Sequence, residues 1–198
     1  MIIPEMKNLS SFLGQKMQLG YVVADLDAAL RFWTEALKVG PFVVIEDSLG
    51  DRRFMHRGQP SDVRMSVAFS YFGDVQIEFI TQQNSAPSPY TEFLSIAPAG
   101  GLHHLAFWPQ DYAQACQELE RRGFDEVCTI EMTDGTKNVS YYSGPVHLGT
   151  MIEVVPLTPA RTKYFGGVKA LVEEWDGSRP IRRYANRAEF MASPDCRA

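Results

Sequence analysis

An α+β fold built from two βαβββ modules is predicted by three properties of this sequence. The 198 residues, 45% hydrophobic and 22% charged, have an ordinary globular profile and enough length for one domain or two small modules sharing a core. A weak duplication places the same strand–helix–glycine phrase in each half of the chain. After each copy come strand-like stretches separated by turn residues.

Residues 1–15 read as an N-terminal extension, and the first module spans 16–82. It opens on the apolar phrase Gln18-Leu-Gly-Tyr-Val-Val-Ala, followed by Asp25, a helical pattern over 27–38 and Gly40. The Asp25 carboxylate can accept hydrogen bonds from the unpaired N–H groups that begin a helix. Leu30, Trp33 and Leu37 fall on one helical face, and Gly40 suits the left-handed conformation that closes helices. Strands are expected at 42–46, 64–71 and 75–81, with an additional one around 53–57. Phe72-Gly73-Asp74 marks a turn. A linker over 82–101, rich in Ser, Pro and Gly, contains a short helical pattern at 90–96.

The second module, 101–157, repeats the order. An apolar strand from His104 leads to Asp111, a helix over 112–122 with Tyr112, Cys116 and Leu119 on one face, and Gly123. Strands follow at 126–131, 138–142 and 150–156, with turns at Thr133-Asp134-Gly135 and Ser143-Gly144-Pro145. Residues 158–198 form a C-terminal helix and tail. The helix is expected over 163–175, with Phe165, Val168, Leu171, Val172 and Trp175 inward; the polar, Arg-rich end is expected to pack loosely.

Charge and cysteine content exclude several classes. Nineteen Lys+Arg against 24 Asp+Glu give a net charge of −5, and no basic block is present, so neither nucleic acid nor an anionic membrane is an expected partner. No apolar run approaches the ~20 residues of a membrane span. The start of the chain lacks the pattern of a signal peptide. Cys116, Cys128 and Cys196 form no CxxC pair and are odd in number, which argues against a disulfide framework. A reduced, cytoplasmic protein is expected.

The duplication also pairs four polar positions. Gln18 and His104 open matching strands, and Glu78 and Glu153 lie at matching places in Gln76-Ile-Glu-Phe-Ile and Met151-Ile-Glu-Val-Val. Strand alternation lets Ile77, Phe79, Ile152 and Val154 face apolar packing while the acids face the other way. If the halves curve toward each other, the four converge in one cleft. Two carboxylates, an imidazole and an amide oxygen suit a divalent ion such as Zn, Ni, Co, Mn or Fe. His103 is expected on the opposite strand face, His56 and His147 at the surface, and Gln76 along a polar wall.

The phrases Gln18-Leu-Gly-Tyr-Val-Val-Ala-Asp, Val75-Gln-Ile-Glu-Phe-Ile, Gly101-Leu-His-His-Leu-Ala-Phe and Gly149-Thr-Met-Ile-Glu-Val-Val-Pro, in that order over residues 16–157, resemble the vicinal oxygen chelate superfamily. That group includes glyoxalase I, methylmalonyl-CoA epimerase, extradiol dioxygenases and bleomycin-resistance proteins. The resemblance implies a glyoxalase-like fold, in which the two βαβββ modules form a curved mixed sheet around a cleft, and metal ligands at Gln18, Glu78, His104 and Glu153. The Gln-Glu-His-Glu set is similar to that of some glyoxalase I enzymes, whereas the Gly-Leu-His-His phrase is closer to the epimerases. Val22 stands where glutathione-using glyoxalases commonly carry an arginine, which argues against that substrate. Gln18 in place of a histidine argues against ring cleavage by Fe(II). The implied activity is that of a metal-dependent isomerase or lyase, moving a proton α to a carbonyl through a metal-bound enediolate or enolate. Glu153 is the expected base and Glu78 the second choice, on a small substrate with adjacent oxygens. A homodimer is implied, its ligands drawn from one chain or two. The alternatives are an extradiol-type dioxygenase and a non-catalytic small-molecule binding protein of the same fold.

Overall fold

The computed structural model describes residues 12–14, 17–144 and 149–197. Most of the expected N-terminal extension, and His147, lie outside the described residues. The chain folds as an α+β protein around one mixed sheet of 11 strands. In chain order these are β1 (Met17–Val22), β2 (Phe42–Ile45), β3 (Arg53–His56), β4 (Gln59–Pro60), β5 (Met65–Phe72), β6 (Val75–Gln82), β7 (Gly101–Phe107), β8 (Asp125–Glu131), β9 (Lys137–Ser143), β10 (Met151–Val154) and β11 (Ile181–Tyr184). The helices are α1 (Leu26–Arg31), α2 (Pro89–Ile96), α3 (Tyr112–Arg121), α4 (Pro159–Glu173) and α5 (Arg187–Ala192). Among the described residues no helix is long and apolar enough to cross a membrane.

Across the sheet the strand order is β11-β2-β5-β6-β1-β7-β10-β9-β8-β3-β4. The two halves meet at its centre, where β1 runs antiparallel to β7. Each first strand also pairs in parallel with the last strand of its own half, β1 with β6 and β7 with β10. The β3–β4 hairpin, although it belongs to the first half, pairs with β8 at the far edge of the second.

Helices form where the sequence supplies caps. Asp25 Oδ1 accepts from the Ala28 N–H and Asp111 Oδ1 from the Gln114 N–H, each at 2.9 Å. Gly123, at φ +82°, closes α3 as expected. The first helix ends differently. It continues as a π-helical turn over Phe32–Ala36, whose wider pitch rotates the following residues, so Leu37 is 47% exposed instead of buried. Lys38, not Gly40, takes the left-handed conformation, at φ 57°. Gly40 instead makes room for a neighbour: a Cβ there would come within 3.2 Å of the Trp175 ring.

One face of the sheet is covered by α1 and α3. Leu26 and Leu30 pack on Ile77 and Phe79, and Ala115 and Leu119 on Ile152 and Val154. Alternation then turns Glu78 and Glu153 to the concave face. The largest core cluster lies on that side and includes Tyr90, Tyr141, Tyr164, Val168 and Phe190.

The C-terminal tail is not loosely packed. β11 extends the sheet in parallel beside β2. Asp195, 8% exposed, pairs with Arg182 at 2.6 Å and accepts from the Tyr184 hydroxyl at 2.5 Å. Burial pushes its carboxyl up, but the Tyr184 hydrogen bond and the charges of Arg182 and Arg179 hold it below the usual range. Asp195→Ala should destabilise the protein by ~1–3 kcal/mol, the scale of hydrogen bonds to a charged group. Urea unfolding would measure this, and trypsin should cut at Arg182 and Arg183 earlier than in the wild type.

Candidate metal centre

Strand register places the four sequence-predicted positions on two neighbouring rows of the concave face. In one row Glu78 (β6), Gly20 (β1), His104 (β7) and Met151 (β10) lie side by side. In the next, Gln76, Gln18, Ala106, Glu153 and Tyr141 do the same. Successive members of each strand are two residues apart, so their side chains share one face.

Gly20 is the geometric key. A Cβ at this position would fall 1.9 Å from His104 Cε1 and 2.0 Å from Nε2, so the imidazole lies over the bare glycine backbone. Nε2 of His104 then stands 3.2 Å from Glu78 Oε2 and 3.0 Å from Glu153 Oε2. All three residues are buried, His104 completely. One ligand-type atom from each falls within 4.8 Å of the others.

Gln18 is buried in the same wall. It donates its amide Nε2–H to Gln76 Oε1 at 2.5 Å, and Gln76 donates onward to the Tyr71 hydroxyl at 2.7 Å. This chain fixes the amide and leaves the Gln18 carbonyl oxygen as its ligand-type atom.

His103 is not on the opposite face. The β1–β7 register slips between Gly20 and Tyr21, and this bulge turns His103 and His104 to the same side. His103 is buried among Tyr90, Phe93 and Tyr141, with its Nδ1 3.1 Å from His104 Nδ1. Burial, followed by the charge of His104, pulls His103 down to about 3, so it is neutral. Its Nδ1 can accept a hydrogen bond from His104 Nδ1–H, which leaves Nε2 directed at the two acids. A bulge within an apolar strand has no sequence signal beyond the His-His pair itself. His56 is also buried rather than exposed: β3 docks on β8, and its Nε2 lies 3.0 Å from Glu92 Oε1.

The electrostatics follow from burial. Burial alone would lower the His104 pKa, but the negative charge of Glu153 close by, together with Glu78, overcomes it and raises it to about 9. The Glu78 carboxyl is raised from its ordinary value, chiefly by burial and further by Glu153, against the opposing pull of His104. Glu78 Oε2 and His104 Nε2 have no well-directed hydrogen-bond partner. Buried polar atoms are normally satisfied, so two orphaned ligand-type atoms aimed at one point fit a divalent cation.

The site opens into a cavity of about 610 Å³, within the range of small-molecule pockets. Gln18, Glu78 and Glu153 line it, beside Phe69, Trp108 and Tyr141. Arg52, Arg161 and Arg187 also line it; none stands in a recognisable motif, Arg52 in the loop before β3 and the other two in the tail.

A sequence model of the glyoxalase/bleomycin resistance protein/dioxygenase superfamily matches residues 17–142. No curated protein matches the chain. Among solved structures, the hypothetical protein BH1468 from Bacillus halodurans C-125 is similar with a TM-score of 0.54 at 18% identity, over 73% of this chain and 94% of that one. Methylmalonyl-CoA epimerase from Mycobacterium tuberculosis is similar with a TM-score of 0.51 at 21% identity, over 80% of this chain and 97% of that one. At these identities the likeness is one of fold.

Two outcomes test this geometry. Gly20→Ala should cost ~1–3 kcal/mol through overpacking. In a double-mutant cycle with His104→Ala most of that cost should vanish, because the clash is with the ring. The second concerns pH. A histidine raised from 6.5 to about 9 contributes stability that is complete below pH 6.5 and is lost as pH rises through 9. Protein dialysed free of divalent ions should therefore melt lower at pH 9.5 than at pH 6.5, by at least ~2–4 °C for each kcal/mol lost. His104→Gln should flatten that profile.

Proposed function

Because this chain belongs to the glyoxalase/bleomycin resistance protein/dioxygenase superfamily, we propose that it is a metal-dependent isomerase or lyase. It would move a proton at the carbon next to a carbonyl, on a small substrate carrying adjacent oxygens. The observation that carries this reading is the buried Glu78–His104–Glu153 cluster, with its ligand atoms within 4.8 Å, opening into a cavity large enough for such a substrate. The epimerase of similar fold is consistent with it.

Glu78, His104 and Glu153 would hold the ion, with the Gln18 carbonyl oxygen as a neutral fourth ligand. Zn, Ni, Co, Mn or Fe suits this oxygen-rich set with one nitrogen. A divalent ion bound there supplies Lewis-acid stabilisation of negative charge on the substrate oxygens.

The protein's own residues supply the rest. Glu153 takes the proton from the substrate carbon: it lines the cavity, and a carboxylate can pivot between two tasks without leaving its strand. Glu78 is the second proton-carrying group, and its burial brings its affinity for a proton nearer to neutral pH. His103 keeps the His104 proton on Nδ1, and the Gln76–Tyr71 chain keeps the Gln18 amide from rotating. Phe69, Trp108 and Tyr141 line an apolar wall that limits water at the reacting carbon.

The test begins with metal content after reconstitution, where one ion per chain is expected. Exchange of the substrate α-proton in D₂O, followed by NMR with branched acyl-CoA thioesters, α-keto acids and hemithioacetals, should then reveal a substrate. Glu153→Gln should slow exchange per bound ion by about 10²–10⁴-fold, the usual contribution of a positioned general base. Sub-stoichiometric metal, with Glu153→Gln binding small molecules as the wild type does, would overturn the enzyme reading in favour of a binding protein.

A further inference from the structure

Three arginines from separate elements converge on the same cavity as Glu78 and Glu153. Arg52 precedes β3, Arg161 lies in the first turn of α4, and Arg187 begins α5. All three are half-buried. Neutral oxygens hold each of them. Arg52 Nη2 and Arg187 Nη1 both donate to the carbonyl oxygen of Ser48, so two guanidinium groups meet at one atom. Arg52 Nε also donates to the Leu49 carbonyl at 3.0 Å. Arg161 donates to the Pro156 carbonyl at 2.6 Å and to Asn138 Oδ1 at 3.2 Å.

Among the described residues, none of the three forms an ion pair with a carboxylate, whereas Arg53, Arg179, Arg182 and Arg183 all do. The cations also act on one another. Burial, then the charges of Arg187 and Arg161, pull Arg52 down to about 9. Burial, together with Arg187 and against Glu153, brings Arg161 to about 10. Guanidinium groups nonetheless stay charged in proteins. The cavity wall therefore carries concentrated positive charge with no neighbouring counter-charge in contact, and its donors are already oriented.

We propose that Arg52, Arg161 and Arg187 form a subsite for an oxyanion, a carboxylate or phosphate group carried by the substrate away from its reacting carbon. Guanidinium forks match both groups in geometry and bind them through charge-assisted hydrogen bonds. The subsite lines the same cavity as the two acids. It also gives the C-terminal segment a role. Arg161 and Arg187 lie beyond residues 17–142, and the similar solved structures, covered over 94% and 97% of their own lengths, account for only 73% and 80% of this chain. The inference rests on the metal-dependent reading for where the substrate's other end binds, but not for the anion contacts themselves.

The experiment is calorimetric titration of the full chain with malonate and, separately, inorganic phosphate, at ionic strength held constant with KCl. The wild type should bind at least one of them, and which one identifies the group. Arg187→Gln and Arg161→Gln should each weaken that binding by about ten- to a hundredfold, the scale of one hydrogen bond to a charged group. Arg187→Lys, which keeps the charge and perturbs the fold least, should lose part of it. Arg183→Gln serves as a surface-charge control and should bind as the wild type does. His104→Gln separates the two readings: anions held by the arginines still bind, whereas anions held by a metal ion do not. Binding of neither anion by the wild type, or binding unchanged in the arginine variants and abolished by His104→Gln, would overturn the subsite. Failure of metal reconstitution with the arginine dependence intact would overturn only the metal-dependent reading.

Discussion

Two carboxyl groups buried side by side must either take up a proton or hold a positive charge between them. Glu78 and Glu153 are both less than a tenth exposed and approach the same atom, His104 Nε2. Desolvating an uncompensated carboxylate costs several kcal/mol, and burial pushes Glu78 toward its protonated form. The fold answers by running β1 antiparallel to β7, so that the imidazole of one strand lies over Gly20 of the other. The bulge, the His103 support and the Gln18–Gln76–Tyr71 chain all hold that arrangement in place. The same cluster that needs a proton in isolation brings three ligand-type atoms within 4.8 Å of one another, so the burial of charge and the fitness for a cation have one origin.

Much of the architecture was legible from local chemistry. Asp25 and Asp111 announced helix starts, glycine and proline marked turns, and alternation around Glu78 and Glu153 gave the orientation of both acids. Each of these signals lies within a few residues of the feature it controls. The failures have a common origin in contacts distant along the chain. The space Gly40 leaves is met by the ring of Trp175, just past α4 and more than a hundred residues away. His56 is buried only because its hairpin crosses to the other half. His103 changes faces through a one-residue slip that composition does not encode.

The tail illustrates the same limit from the side of function. Its arginines look like solvated surface charge in the sequence, and Arg183 is of that kind, paired with Asp27 and Glu46. Arg187, four residues on, is instead turned inward by α5 and held by Ser48. What separates the two is the anchoring of β11 beside β2 and the burial of Asp195, neither visible as a motif. The cavity therefore has a wall built from duplicated strands and a cover built from unduplicated sequence. The cover lies beyond residues 17–142, the stretch that the superfamily model matches.

The hairpin formed by β3 and β4 interlocks the halves more tightly than their duplication suggests. It leaves the first half after β2, pairs along the outer edge of the second, and returns to β5. Cutting the chain between the repeats would thus not release two self-sufficient ancestral units. Each fragment would be left with an unfilled strand position that only the other could occupy, so the pair would regain its shape by complementation or by exchange between chains, and neither would do so alone.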